Sequence, residues 1–171
     1  DARRQIVGLL EDGTYGNTSG SELAKHAGTA EDPYPLASLS DLKSIRQCMH
    51  TGEMTYFVLT EDIDMSTVKN WTPVSTAGDM ADGKSWMNWI DFDGQGHVIR
   101  NFSIGEGDYA SFFGVLCGNV RNVGFENVDV TCTATGTGVL GGYIGHSNFT
   151  DADGNKLTST LENVWVTGQL T

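Results

Sequence analysis

The sequence predicts an all-β solenoid, a parallel β-helix with a short N-terminal helical cap, and three observations predict it. A six-residue phrase, apolar–charged–Asn–apolar–small–apolar, occurs as Ile99-Arg100-Asn101-Phe102-Ser103-Ile104 and as Val120-Arg121-Asn122-Val123-Gly124-Phe125. It returns as Leu161-Glu162-Asn163-Val164-Trp165-Val166, with Trp165 in the small slot. A fixed phrase around a fixed Asn is the mark of a repeat architecture. The composition, with 22 Gly, 3 Pro and many Val, Thr and Asn, suits strands and turns. From Thr55 onward the apolar period is 2, where before it is 3.6.

With 171 residues the chain is long enough for a sizeable core. Its formal charge of −12, from 10 basic and 22 acidic residues, argues against nucleic acid and against anionic membrane surfaces. No run of about 18 apolar residues offers a membrane span. No signal peptide is visible, and the first residue is not Met, which suits a processed or trimmed N-terminus. Three cysteines, Cys48, Cys117 and Cys132, contain no CxxC pair, so zinc is not expected. They read as small hydrophobes, with one disulfide and one remaining thiol as the alternative.

Residues 1–54 read as a capping region of helix and loop, and residues 55–171 as β-helix rungs. Residues 1–11 form a short helix candidate stopped by Asp12-Gly13, and residues 21–26 offer one helical turn carrying an exposed His26. Pro33 and Pro35 force an extended path. The strongest helix is 40–49, with Ser40 as N-cap, Asp41 in the first turn, and Leu42, Ile45, Cys48 and Met49 on one face. Such a helix would cover the open end of a solenoid. Alternating pieces follow at 56–59, 63–65 and 71–74, then a loop at 75–89 holding Trp86 and Trp89. Strands resume at 90–92, turn at Asp93-Gly94-Gln95-Gly96, and run through 97–104.

The three repeated Asn are separated by 122 − 101 = 21 and 163 − 122 = 41 residues. Pairing Phe112-Phe113-Gly114 with Tyr143-Ile144-Gly145 leaves a polar insertion at 147–160, so the expected rung is about 20 residues long. Val123, Phe125, Val128, Val130 and Cys132 should then face inward, and Gly124, Asp129 and Thr131 outward, with a corner at Glu126-Asn127. Phe102 and Ile104, and Val164 and Val166, should stack on Val123 and Phe125. Asn101, Asn122 and Asn163 should share one corner column, because Asn tolerates the left-handed backbone and carries both donor and acceptor. Arg100, Arg121 and Glu162 would form an outer column with a weak Arg121–Glu162 ion pair.

GTAEDPYPL, SLSDLKSIRQ, TYFVLTEDIDM, WTPV, FDGQGHVIRNFSI, SFFG, VRNVGFENVDVT, GYIG and LENVWVTGQLT occur in that order over residues 28–171. This order resembles the GLUG-type repeat proteins, bacterial surface proteins common in gut Bacteroidetes. The resemblance implies a right-handed parallel β-helix, export, and a cell-surface or adhesin-like role. Phe112-Phe113 and Tyr143-Ile144 replace the usual Leu-containing pair, and the last rung is one corner residue shorter at Thr167-Gly168. The resemblance carries no catalytic residues.

Candidate chemistry is sparse. Asp151-Ala152-Asp153-Gly154-Asn155 begins like a calcium loop, and Glu162 lies eleven residues after Asp151. Gly154 is at the fourth place and not the sixth, so a plain Asp-Gly turn fits better and no cofactor is expected. Asp62, Asp64, Asp91 and Asp93 would form an acidic strip on stacked rungs, and paired carboxylates are what glycoside hydrolysis needs. Chance produces the same strip in any acidic solenoid, and Arg100 is the one basic residue near it in sequence. His50, His97 and His146 form no recognisable set. Trp86, Trp89 and Trp165 are the candidate ligand-binding residues, since exposed indoles stack on sugar faces; packing of the loop is the alternative. The expected function is therefore a non-enzymatic, secreted or cell-surface module binding glycan or protein. A polysaccharide lyase or glycoside hydrolase domain is the alternative. The chain stops inside a repeat, so its open end is expected to contact the rest of a longer protein or another copy.

Overall fold

A computed structural model describes residues 22–76, 89–145, 156 and 158–171, together with the backbone of two short strands near the N-terminus. Those strands, β1 (Val7–Leu9) and β2 (Tyr15–Asn17), pair antiparallel. The helix expected over residues 1–11 is thus replaced by a strand at Val7–Leu9. A short apolar run carries no period of its own, and an antiparallel partner lies a few residues on.

The rest is mostly β, built on one large sheet whose ladders are all parallel. Its strands are β3 (Tyr34–Leu36), β4 (Thr55–Leu59), β5 (Ile63–Asp64), β6 (Trp89–Asp93), β7 (Val98–Arg100), β8 (Ser103–Ile104), β9 (Gly114–Val130), β10 (Gly141–Ile144) and β11 (Thr160–Leu170). The 17-residue β9 is the spine: β6, β7, β8, β10 and β11 all pair with it. β3 and β4 extend the ladder beyond β6.

Register stacks like on like. Phe57 lies opposite Phe92, Phe92 opposite Val120, and Val120 opposite Leu161. Ile63, Ile99, Phe125 and Val166 form a second column, and Ile104, Val130 and Leu170 a third. Phe57, Phe92, Val120, Ile99, Phe125, Ile104 and Val130 are fully buried. Each such side chain contributes roughly 1.5–3 kcal/mol. Between the columns sits an aromatic cluster. Phe112 meets Phe113, Phe125 and Phe102 edge-on at 4.9, 5.2 and 5.8 Å, and stacks on Trp71 at 5.0 Å. Trp71 Nε1 donates to the Phe112 carbonyl at 2.9 Å, so the ring is buried with its polar edge satisfied.

The alternation expected along β9 is present, with Val123, Phe125, Val128 and Val130 buried; Cys132 packs against the core but is only half-buried. The spacing of rungs differs from the expected 20. Register partners are 120 − 92 = 28, 125 − 99 = 26 and 164 − 123 = 41 residues apart. Phe102 and Ile104 accordingly belong beside Val128 and Val130, since Ile104 pairs with Val130, and not beside Val123 and Phe125. Only the Val164 and Val166 match to Val123 and Phe125 holds. The Phe112-Phe113-Gly114 alignment also shifts: Tyr143 and Ile144 pair with Val115 and Leu116.

Asn101 and Asn122 do not share a corner. Asn127 Nδ2 donates to Asn101 Oδ1 at 2.8 Å, and Asn163 Nδ2 to Asn122 Oδ1 at 3.0 Å, giving two Asn columns. All four Asn have φ between 51° and 62°, the left-handed geometry a sharp corner needs. There are thus two kinds of corner along the sheet, and each is written in the same phrase. Reading them as one column made the rung too short. The last corner is indeed one residue shorter: Thr167 stands where β9 has Glu126 and Asn127, and its Oγ1 accepts from the Asn127 N–H at 3.0 Å.

Helix α1 (Leu39–Cys48) lies beside β3, the strand at one edge of the sheet, and buries Leu42, Ile45 and Cys48. Its N-cap is Ser38 and not Ser40: Ser38 Oγ accepts from the Asp41 N–H at 3.2 Å. The turn around residues 21–26 is a 3₁₀ helix, Glu22–Lys25. His26 is half-buried, with Nδ1 2.6 Å from Asp32 Oδ1.

Candidate functional site

The four aspartates expected to form one strip lie in two separate sets. Asp91 and Asp93 are alternate residues of β6, paired with Asn119 and Arg121 of β9. Arg121 spans both, with Nη1 2.6 Å from Asp91 and Nε 3.0 Å from Asp93. Asn119 Nδ2 donates to Asp91 at 2.9 Å; Asn122 Nδ2 and the Gln95 N–H donate to Asp93 at 3.2 and 3.0 Å. The expected Arg121–Glu162 pair is therefore displaced. Glu162 is in register with Arg121, but the guanidinium turns to two carboxylates on the neighbouring strand, where two charge-assisted bonds outweigh one exposed contact. Arg100 also leaves the expected outer column, since its register partner is Glu126.

Asp62 and Asp64 sit at β5, beside β7. Asp62 accepts from the Val98 N–H at 3.1 Å and from Arg100 Nη2 at 3.0 Å, and lies 3.1 Å from His97 Nδ1. Asp64 accepts from the Ser66 N–H at 2.8 Å and from Asn101 Nδ2 at 3.3 Å. The Val98 N–H, then His97 and Arg100, hold the Asp62 carboxyl below the ordinary range. The Ser66 and Asn101 bonds do the same for Asp64. Burial pushes Asp93 up, but the Gln95 N–H, the Asn122 amide and Arg121 together outweigh it. These three carboxylates are held ionised, where a general acid must be kept neutral until it gives its proton.

Of the three tryptophans, Trp89 and Trp165 have unlike settings. Trp86 lies outside the described residues. Trp89 is not in a loop: it opens β6 and is 8% exposed, its Nε1 without a hydrogen-bond partner among the described residues. Alternation puts it on the same face of β6 as Asp91 and Asp93, but its burial leaves no exposed ring, so it is no platform. Trp165 is exposed, at 39%, and faces outward on β11 opposite Gly124. A Cβ on Gly124 would lie 2.4 Å from Cε2 and 2.5–2.6 Å from the two ring atoms bonded to it, so the indole lies flat over the glycine. Its Nε1 donates to Glu126 Oε1 at 3.0 Å. Glu126 and Gly124 were not foreseen as partners of Trp165. The 41-residue interval between Asn122 and Asn163 contained that pairing, because it sets 165 against 124.

One residue beyond Glu126 an open polar groove of about 400 Å³ begins, lined by Asn101, Ser103, Asn127, Asp129, Gln169 and Lys69 among others. Ser103, Asp129 and Gln169 are register neighbours on three strands, so the groove crosses the sheet from strand to strand.

Among the described residues no group of three or more His, Cys, Asp and Glu side chains could hold a metal, and the Asp151–Asn155 segment lies outside them. Cys48 and Cys117 are buried and Cys132 half-buried, all three as thiols. No described helix is long and apolar enough to cross a membrane.

The chain is thus a mostly-β protein on one large parallel sheet, with a flat indole on β11 before the Glu126–Asn127 corner and an open polar groove beginning at that corner. No protein-family model matches it. It is 33% identical over 156 residues to halomucin of Haloquadratum walsbyi, covering 84% of this chain and 2% of that one. It is 28% identical over 127 residues to a provisionally named Gly-rich membrane protein of Evansella cellulosilytica, covering 69% of this chain and 14% of the relative. A Bacteroides ovatus crystal structure, provisionally described as an immunoglobulin A1 protease, superposes with a TM-score of 0.72 at 36% identity, covering 85% of this chain and 40% of the other. The chain therefore spans only a small part of the curated relatives it matches.

Proposed function

We propose that this chain is a right-handed parallel β-helix of the GLUG-repeat type, acting as a non-enzymatic binding module for a glycan or a surface protein, on the cell surface or secreted. One observation carries the reading. The candidate carboxylates are each bound to structural partners, while the surface presents an exposed indole and an open polar groove. That combination suits recognition and not acid–base turnover. Similarity to a halomucin and to proteins named for a membrane and for an extracellular antibody substrate supports an exterior setting.

The test is incubation of the purified chain with host and plant polysaccharides and with surface proteins, with and without calcium, reading both retention and release of new chain ends. Retention without new ends is expected. New ends would transfer the reading to a lyase or hydrolase. That second reading has one observation in its favour: Asp62 lies within 3.1 Å of both Arg100 and His97, an acid with basic neighbours. It requires turnover to vanish in His97→Ala or Arg100→Ala.

A further inference from the structure

We propose that Trp165 and the groove beyond Asn127 form one continuous binding strip for an uncharged glycan chain, with Trp165 stacking on a pyranose ring. This deepens the binding reading above and rests on it.

The indole is held ready for such a ligand. Gly124 beneath it leaves no side chain to tilt the ring, and the Glu126 bond fixes its polar edge. One aromatic face is therefore against the sheet and the other open, at 39% exposure for the residue. An immobilised platform has little conformational entropy left to lose on binding. A pyranose presents an apolar patch of C–H groups on one face and hydroxyls around its rim, which matches a flat indole flanked by polar side chains.

The groove supplies the rim contacts. Asn127 is exposed, and its Nδ2 is already used on Asn101, which leaves its carbonyl side toward the groove's solvent. Gln169 is exposed and makes no side-chain hydrogen bond to any described residue. An amide offers donor and acceptor on one group, as a hydroxyl does, so amides read hydroxyls in either sense. The backbone around these groups is set by the ladder, so the rim is as rigid as the platform.

Charge selects the ligand. The whole chain carries −12, and the strip is bordered by Glu126 and Asp129. Its basic groups are few. Arg100 is committed to Asp62, and Lys69 donates to the Ser66 carbonyl at 3.4 Å. A uronate or sulfated chain would meet like charge, which costs affinity and slows encounter. A neutral hexose polymer meets neither penalty.

The experiment measures binding of the intact chain to neutral glucans, mannans and galactans and to polygalacturonate and chondroitin sulfate, by affinity electrophoresis and calorimetry. At least one neutral polymer is expected to bind, with the acidic ones weaker. Trp165→Ala should weaken that binding about tenfold or more, and Trp165→Phe less. Gly124→Ala should also weaken it by lifting the ring, with the ring's displacement read as a red shift in fluorescence absent from the Trp165→Phe background. Gln169→Ala should cost a smaller factor. Thermal melts of each variant separate loss of site from loss of fold. Unchanged neutral-glycan binding in folded Trp165→Ala, or acidic chains bound as tightly as neutral ones, overturns the strip. Binding of a surface protein alone overturns it while leaving the broader module reading intact. No binding to any glycan or protein removes both.

Discussion

Asp93 shows how a single side chain here is tied to its setting. It takes bonds from its own turn at Gln95 and from Asn122 and Arg121 on the neighbouring strand. With Asp62 and Asp64 it ionises more readily in the folded chain than in the unfolded one. The stabilisation from such groups is complete above the unfolded carboxylate range, about pH 4, and is lost as pH falls through their lower folded values. Melting temperature should therefore hold steady from pH 7 to about 5 and drop below 4. Asp93→Asn should melt lower at pH 7 and show a shallower acid limb; parallel curves for the two proteins would refute the assignment. The thiols differ in the same residue-level way. Burial pushes the Cys48 thiol up to about 12, whereas Cys132 is partly accessible. Maleimide at neutral pH should label Cys132 in the native protein and leave Cys48 untouched until denaturant is added, as read by peptide mass.

Helix α1 depends on a cap two residues earlier than the sequence suggested. Ser38 and Asp41 bond reciprocally, Oγ accepting from the Asp41 N–H and donating to Asp41 Oδ2 at 2.7 Å. Ser38→Ala should cost about 1 kcal/mol in chemical denaturation, while Ser40→Ala should cost less. The error is instructive: Ser38 and Ser40 both precede an apolar face, and only the backbone decides which is extended. Strands were legible because alternation in 55–59 and 123–130 is strong and their buried faces are apolar. The corners were legible as Asn. Their register was not, because the phrase around Asn101 and that around Asn122 obey one local rule at two different corners. Local chemistry reports what a corner requires; only pairing between distant strands reports which corner it is. The same limit hid the site. Trp165 was legible as an outward aromatic, but Gly124, Glu126 and Gln169 join it only through the β9–β11 ladder.

For the molecule as a whole, the core is one continuous stack centred on Phe112, Phe113 and Phe125. Phe125→Ala should cost about 3–5 kcal/mol, enough to remove much of the stability of an ordinary domain, and should do so at every probe used to follow unfolding. The stack is covered unevenly. α1 lies beside β3, whereas β11 exposes Leu161, Val166 and Leu170, the last at 69%, although their partners Val120, Phe125 and Val130 are buried. Sedimentation of this chain alone should show association rising with concentration, relieved by Leu170→Lys; a monomer unaffected by concentration would refute this.

The unequal rung spacing carries a consequence for anyone wishing to build on this scaffold. Partners lie anywhere from 57 − 34 = 23 to 164 − 123 = 41 residues apart, yet the columns remain in line. Added length between paired strands does not shift their register. Enlarging a 41-residue circuit by ten residues adds only about 0.2 kcal/mol of closure entropy. Foreign peptides grafted between rungs should therefore be displayed without disturbing the frame, which makes the molecule a chassis whose excursions can be rewritten one at a time.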